Sequence, residues 1–256
     1  MTPKCKTRVC ASLTHFTASL LIFTVLVTVQ LAIWYPSPFF SASGGWQGLK
    51  IVALVDLVLG PLLTLVIFNT KKPFSELARD ITIIIVLQLS ALTWGIYTVH
   101  QQRPVAVAFW EDRFFTVPAT AITRQGIDLD TLKRFGDKPP YYVYIKKPTT
   151  PQEWAPILKK IEQEEIGPHQ QPELYQPLTN HFGDIYQHEV DIAQIMQTNA
   201  SMAAEIQAVL EETNTTLENN HYIALESRYR NIVLIFDTRD KLIGFASAPY
   251  KPAEKQ

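Results

Sequence analysis

The sequence predicts an α-helical membrane stem of three transmembrane helices, followed by an α+β domain with a mainly antiparallel sheet outside the membrane. Three observations support this fold class. Long apolar runs fill the first hundred residues, the later residues have the composition of a water-soluble domain, and the two parts carry net charges of opposite sign. We therefore divide the chain into a transmembrane domain, residues 1–103, and an α+β domain, residues 104–256.

The apolar runs predict three membrane-crossing helices, at about residues 12–34, 49–69 and 79–99. Residues 12–34 and 81–99 contain no Asp, Glu, Lys or Arg, and residues 51–69 contain one acid. Each run can cross a hydrocarbon core of ~30 Å at ~1.5 Å per residue. Two alternatives stay open: three buried core helices, or a cleaved signal peptide in the first run with a cut near residues 41–43. The first run is longer than the ~7–15 apolar residues usual for a signal peptide.

The distribution of positive charge predicts the orientation of the stem. The loop at residues 35–49 has no charge, whereas basic residues cluster before the first run and between the second and third. Because cytoplasmic loops are enriched in Lys and Arg, the N-terminus is expected in the cytoplasm and residues beyond 100 outside. Aromatic residues that favour membrane interfaces then fall on the outer side. The basic residues are Lys4, Lys6, Arg8, Lys71, Lys72 and Arg79.

The composition excludes several classes of protein. The first hundred residues contain seven basic and three acidic residues, a net charge of +4, and the rest contain 16 basic and 21 acidic residues, a net charge of −5. Near-neutrality overall argues against bulk nucleic-acid binding, since that binding depends on neutralised phosphates. Two cysteines in 256 residues exclude a disulfide-rich scaffold.

The second part alternates predicted strands and helices. Short turns between strands favour antiparallel pairing, which is the basis for the mainly antiparallel sheet. Thr150, with Glu153 three residues later, is typical of a helix start. The predicted strands are Val105–Trp110, Arg113–Val117, Tyr141–Lys146, His221–Arg230, Ile232–Asp237 and Leu242–Ala248, and the predicted helices are about Leu129–Phe135, Thr150–Glu165 and Asp184–Leu210.

Asp56 is the main candidate for a functional residue in the stem. A carboxylate within an apolar span is costly, so it should find a partner or stay protonated. Gln30 and Gln88 lie at similar predicted depth in the other two spans. The three could form hydrogen-bonded packing between helices. Alternatively, Asp56 contacts the membrane helix of a partner, or takes a proton or substrate role.

Gly60 and Pro61 interrupt the same span. Proline removes a helical hydrogen bond and bends a helix, so this pair predicts either a static kink or a cleft that admits another helix.

The loop after the first span is aromatic, uncharged and rich in glycine and proline. It predicts an anchor at the membrane surface or a contact with a membrane partner. Its candidate residues are Trp34, Tyr35, Gly44, Gly45 and Trp46.

Motifs for catalysis are missing from the sequence. It contains no Gly-rich phosphate loop, no Gly-x-Ser-x-Gly and no His-Glu-x-x-His. His188, with Asp184 and Asp191, could share one helix face, but this row matches no known metal-ligand pattern. We therefore predict no catalytic residue, no metal site and no cofactor.

Several ordered motifs resemble the type IV pilin accessory proteins of the TfpX/TfpZ type. The resemblance covers roughly the first 104 residues and does not extend to specific residues of the second part. The motifs are Trp34-Tyr35-Pro36, Gly44-Gly45-Trp46-Gln47-Gly48-Leu49, the run from Val55 through Asp56 and Gly60-Pro61 to Leu65, Phe68-Asn69, Lys72-Pro73, Gly95-Ile96-Tyr97-Thr98-Val99 and Arg103-Pro104.

The resemblance implies a bacterial inner-membrane protein with a periplasmic C-terminal domain that acts in fimbrium biogenesis and twitching motility. It implies a role in pilus assembly, extension or retraction beside the cognate major type IV pilin, and contacts with other pilus machinery and the lipid bilayer. It implies no enzyme. The well-known acid of a pilin helix would lie toward the cytoplasm and Asp56 toward the outside, which argues against direct pairing. Two other classes stay open: a membrane-anchored periplasmic ligand-binding sensor, and, less favoured, a pilin-modifying membrane enzyme.

Overall fold

The computed structural model describes residues 8–69 and 71–247. Lys4 and Lys6, which entered the predicted orientation, lie outside these residues, as does Ala248 at the end of the last predicted strand. By its internal contacts the chain divides into an N-terminal unit, residues 1–40 and 44–101, and a C-terminal unit, residues 41–43 and 102–256.

Three long helices form the N-terminal unit: α1 (Arg8–Trp34), α2 (Gly45–Ile67) and α3 (Phe74–Gln102). Each is long and apolar enough to cross a membrane. Each helix is longer than its predicted span at one end or both, because the helix continues into the residues that flank the apolar run.

A π-helical turn forms the end of α1, at Gln30–Trp34, and another interrupts α2. In α2 the turn covers Leu54–Leu59, and the Gly60 N–H bonds to the Val55 carbonyl five residues earlier. Pro61 follows at the start of the next α-helical segment and has no N–H to donate. The wider turn changes the hydrogen-bond register just before the proline, so the irregularity at Gly60-Pro61 takes the form of a π-helical turn.

Glycines allow α2 and α3 to approach each other closely. A Cβ atom at Gly48 would lie 2.5 Å from Val99, and one at Gly60 would lie 1.9 Å from the Gln88 amide nitrogen. Small residues at helix contacts are typical of membrane helix packing, where tight van der Waals contact replaces the hydrophobic effect.

The C-terminal unit contains one seven-stranded sheet. Its strands are β1 (Pro104–Trp110), β2 (Arg113–Pro118), β3 (Tyr141–Ile145), β4 (Tyr175–Pro177), β5 (Asn220–Glu226), β6 (Ile232–Asp237) and β7 (Leu242–Ser247). Their order across the sheet is β4-β3-β1-β2-β5-β6-β7.

The sheet is mixed, so the prediction of a mainly antiparallel sheet is wrong. The hairpins β1–β2, β5–β6 and β6–β7 are antiparallel, as their short turns require. However, β3 runs parallel to β1, and β5 runs parallel to β2. A long connection precedes each of these two strands, β3 and β5. Each connection brings the chain to the end of the sheet at which the parallel neighbour also begins, so the rule for short turns does not apply to these strands.

After a short helix at Ala119–Thr123, the C-terminal unit contains the longer helix α4 (Pro151–Glu164), which begins as predicted. The Thr150 side chain accepts a hydrogen bond from the Glu153 N–H, and the Glu153 side chain accepts one from the Thr150 N–H. This reciprocal cap satisfies two backbone donors that a helix start leaves unpaired.

The predicted single helix from Asp184 to Leu210 is wrong. The structure has a short helix at Phe182–Ile185 and then α5 (Ile192–Thr198) and α6 (Ala200–Thr213). The side chain of Asp191 caps α5, and that of Asn199 caps α6. Asp and Asn compete for backbone donors and favour helix starts over helix interiors.

Two groups of helices pack side by side on one face of the sheet. α4 covers the strands around β1 and β3, with the Trp154 ring 6.1 Å from that of Trp110. α5 and α6 cover β5, β6 and β7. Alternate residues of the strands point to the opposite face, where Phe182 packs against Phe236.

Candidate functional site

A cleft of about 520 Å³ opens in the N-terminal unit between α1 and α3, with α2 as its floor. Its walls are mostly apolar, but polar side chains from all three helices line it. The lining residues are Ala11, Thr14, His15, Ala18, Ser19 and Ile22 of α1, Asp56 and Thr64 of α2, Phe68 just beyond α2, and Ile81, Ile84, Ile85, Gln88, Leu89 and Leu92 of α3.

Asp56 lies in the floor of the cleft, in the π-helical turn of α2. It is eleven residues from each end of the 23-residue helix, and is 6% exposed. Within residues 8–69 and 71–247, no group donates a hydrogen bond to its carboxyl. A carboxylate in apolar surroundings is destabilising unless it is paired. The Asp56 carboxyl can therefore still accept a hydrogen bond from a donor outside the described residues.

His15 and Thr64 form a second polar element of the cleft, which the sequence analysis missed. The His15 Nδ1 lies 2.6 Å from the Thr64 hydroxyl oxygen, so this hydrogen bond joins α1 to α2. Nearby, the Ser12 hydroxyl donates to the Pro61 carbonyl at 2.8 Å. The only signal for His15 was that it is the single histidine of residues 12–34, and nothing in the sequence paired it with a residue 49 positions later.

Gln88 lines the same cleft as Asp56. It lies at the midpoint of α3, with fourteen residues on each side. Its amide packs directly over Gly60, where a larger residue would displace it. Gly60 and Pro61 are both buried and thus support the floor of the cleft.

Gln30 does not line the cleft with Asp56 and Gln88. The α1 wall ends at Ile22, two turns before Gln30, and Gln30 is fully buried elsewhere in the helical unit. Neither its amide oxygen nor its amide nitrogen has a hydrogen-bond partner within the described part of the chain. A similar depth along a helix does not determine which face of the helix a residue occupies, and the predicted grouping rests on depth alone.

The aromatic residues of the loop after α1 differ in exposure. Tyr35 is buried and its hydroxyl donates to the Val99 carbonyl at 2.8 Å. The Trp34 ring meets the His100 ring edge-on at 5.0 Å. Trp46 is 51% exposed and contacts Phe40. Trp46 is therefore the aromatic side chain of this loop that remains open to a membrane interface or a partner.

The two glycines of this loop fix its backbone. Gly44 has a φ of 100°, a left-handed conformation that favours glycine, and it immediately precedes α2. A Cβ atom at Gly45 would lie 2.4 Å from the Phe40 ring. Residues 41–43, which precede the two glycines, belong to the C-terminal unit. In that unit the Ala42 carbonyl accepts a hydrogen bond from the Tyr229 N–H at 2.9 Å.

Comparison with known proteins identifies relatives of one kind, all from Dichelobacter nodosus. The fimbrial assembly protein of serogroup I is 26% identical over 224 residues, 83% of this chain and 84% of that protein. The fimbrial assembly protein of serogroups C1 and C2 is 36% identical over 95 residues, 37% of this chain and 72% of that protein. This chain belongs to the family of fimbrial assembly proteins.

A third fimbrial assembly protein, of serogroup E1, is 35% identical over 95 residues, which are 37% of each chain. No protein-family model matches the sequence, and no solved structure matches the fold. The fold of this fimbrial assembly protein therefore has to be interpreted from its own residues.

The C-terminal unit of this fimbrial assembly protein has a groove of its own, of about 680 Å³. In it the rings of Tyr144 and His181 stack at 4.0 Å, and Phe109 stacks on the same tyrosine at 5.9 Å. Burial, together with the nearby Asp184 carboxylate, raises the pKa of Tyr144. The groove therefore combines aromatic faces with charged groups.

The histidine row predicted near this groove does not form. Asp184 lies in the short helix before His188, and Asp191 caps the next helix, so the three do not share one helix face. Across residues 8–69 and 71–247, no group of three His, Cys, Asp or Glu side chains is arranged to hold a metal ion.

Proposed function

We propose that this protein is a multi-pass inner-membrane accessory factor for type IV pili, of the TfpX/TfpZ type, that binds the cognate major pilin. In this role it modulates pilus assembly, extension or retraction and is not an enzyme. The names of its relatives support a part in fimbrial assembly. The observation that carries the proposal is the cleft in a unit of three apolar helices, in which Asp56 accepts no hydrogen bond from the described residues.

The chemistry of the cleft favours binding over catalysis. Apolar side chains dominate its walls, and Asp56 and Gln88 lie at the midpoints of long helices, where a soluble substrate would have to enter hydrocarbon. A subunit that has its own membrane helix is already in the hydrocarbon region and presents an apolar surface to these walls. Pilin waiting for assembly would be such a subunit.

The proposed orientation follows the positive-inside rule. Lys71 and Lys72 lie between α2 and α3, and Arg79 lies near the start of α3. Lys72 pairs with Asp80 at 2.6 Å, whereas the segment between α1 and α2 has no charge. A cytoplasmic N-terminus then puts the C-terminal domain in the periplasm, on the same side of the membrane as a pilin head. Other pilus machinery and the lipid bilayer are the further contacts that this position implies.

A gene deletion, combined with copurification, tests this proposal. We expect loss of surface pili on deletion; a retained pilin pool indicates an assembly role, and a depleted pool indicates pilin stabilisation. The tagged protein purified from membranes should bring pilin with it, directly or after crosslinking. Unchanged piliation and motility after deletion, or no pilin in any purified sample, would contradict the proposal.

The groove beside Tyr144 and His181 supports a second candidate, a periplasmic ligand-binding sensor or regulator. Its stacked rings and flanking Lys146, Lys147 and Asp184 are suited to a small polar ligand. Saturable binding of a periplasmic metabolite fraction to the purified protein, lost in Tyr144→Ala, would favour this candidate. Pilin copurification that is unaffected by Tyr144→Ala would favour the accessory role.

A further inference from the structure

We infer that the cleft between α1 and α3 holds the membrane-spanning helix of the pilin, and that Asp56 accepts a hydrogen bond from a side chain of that helix. The inference rests on the proposed function and adds two things: the surface that binds, and the chemistry that the bound helix must present.

The dimensions of the cleft match a helix. On α1 its wall runs from Ala11 to Ile22, and on α3 from Ile81 to Leu92. Each wall therefore covers eleven residue steps, or ~17 Å at ~1.5 Å per residue. A guest helix would contact this surface over about three turns, which is the usual extent of a helix–helix contact.

The two walls are complementary in size. The α1 wall is built from small side chains, including Ala11, Thr14 and Ala18, of which Thr14 and Ala18 are exposed. Small residues spaced along one helix face allow another backbone to approach closely. The α3 wall presents large branched side chains, including Ile85 and Leu89, which can fill the grooves of a guest helix.

The polar groups of the cleft distinguish a guest helix from a lipid tail. The His15 Nδ1 is hydrogen-bonded to the Thr64 hydroxyl, the His15 ring interacts electrostatically with Asp56, and the Gln88 amide packs against Gly60. The Asp56 carboxyl is 6% exposed and accepts no hydrogen bond from the described residues. An acyl chain has no donor, so lipid alone would leave this buried carboxyl unsatisfied, at a cost in free energy. A helix can offer a hydroxyl, amide or amine at that depth.

A photocrosslinking amino acid at two matched positions of α3 tests the inference in the full-length protein in membranes. Ile85 lines the cleft and is 46% exposed, whereas Leu87 is 61% exposed, lies at almost the same depth and does not line the cleft. We expect a pilin adduct from position 85 and little or none from position 87.

Substitutions at Asp56 test the chemistry. Asp56→Leu should reduce the pilin adduct from position 85 by about tenfold, since the hydrogen bond to the Asp56 carboxyl is lost. Asp56→Asn keeps an acceptor oxygen and should retain most of the adduct. Protein level and thermal stability in detergent are measured for both variants, so that a folding defect is recognised.

The outcomes separate this inference from the proposed function. Lipid adducts alone from position 85, or equal pilin adducts from positions 85 and 87, overturn the cleft as the binding site while pilin copurification still supports the accessory role. An adduct that survives Asp56→Leu undiminished overturns the role of Asp56. If the unsubstituted protein never copurifies with pilin, the proposed function fails, and the inference fails with it.

Discussion

Acidification is expected to destabilise the C-terminal domain through His169. This residue lies in a short turn, Pro168–Gln170, between α4 and β4. Its ring stacks on Phe115 at 4.7 Å and 20°, and its backbone carbonyl accepts a hydrogen bond from the Tyr175 hydroxyl. Burial among these groups lowers the pKa of His169 to about 4. Burial is the cause of this shift, and no carboxylate of the described residues contributes to it.

The sign and size of the effect follow from proton linkage. Since the folded pKa is below the ordinary value of 6.5, the unfolded chain binds a proton first as the pH falls. The stability of the domain is therefore complete above pH ~6.5 and decreases between pH ~6.5 and ~4. A shift from 6.5 to about 4, at about 1.4 kcal/mol per pKa unit, corresponds to a loss of about 3 kcal/mol.

His169→Phe is the matched variant, because it keeps an aromatic ring on Phe115 and removes the titrating group. We expect urea unfolding midpoints of the purified full-length protein, followed by near-ultraviolet circular dichroism, to fall from pH 7 to pH 4.5 in the original chain. The variant should lose about 2 kcal/mol less over the same interval, because the full difference of about 3 kcal/mol is reached only below pH ~4. Equal losses in both proteins would refute the linkage to His169, and any remaining common loss belongs to other groups.

Three further predictions concern packing and capping. Gly60→Ala should destabilise the helical unit in detergent by about 1–3 kcal/mol, because its Cβ would lie 1.9 Å from the Gln88 amide, and adding Gln88→Ala should restore the melting temperature; no rescue would show that the clash is not the cause. Gln30→Met should raise thermal stability by about 1–3 kcal/mol, since it removes two buried polar atoms without described partners, and a fall would mean that the amide is satisfied after all. Thr150→Ala should cost about 1 kcal/mol in urea unfolding by removing the cap on the Glu153 N–H, whereas Thr150→Ser should cost much less.

Local rules were sufficient for the elements that depend on neighbouring residues. The hairpin of β1 and β2 was predicted from two strand-like runs separated by Glu111 and Asp112, and the register confirms it, with Trp110 opposite Arg113. Glu111 adopts a φ of 59°, which a two-residue turn of this kind demands. The start of α4 at Thr150 was predicted equally well. In both cases the decisive hydrogen bonds join residues only a few positions apart.

The mixed sheet depends on information that local rules do not contain. The pairing of β2 with β5 brings Phe114 opposite Leu225, more than a hundred residues later in the chain. Whether such a strand enters parallel or antiparallel depends on where the intervening helices leave the chain. A single sequence predicts those helices but not the directions in which they pack. The end of one helix and the start of the next at Asn199 could not be predicted either, for a different reason. An Asn within an apolar periodic segment was compatible with both a continuous helix and a new cap.

The cleft shows why the candidate site could be predicted only in part. Asp56 was found because one acid in an apolar run is conspicuous, and Gln88 because it has a similar depth. The distinction between Gln88, which lines the cleft, and Gln30, which does not, depends on helix rotation. The rotation of each helix about its axis is set by contacts between helices, such as the hydrogen bond between His15 and Thr64. The sequence alone does not show which residues make these contacts, so it does not predict the shape of the cleft. It follows that the relatives' ability to form the same cleft should depend on small residues at the positions of Gly48 and Gly60, where α2 and α3 meet, as much as on an acid at position 56.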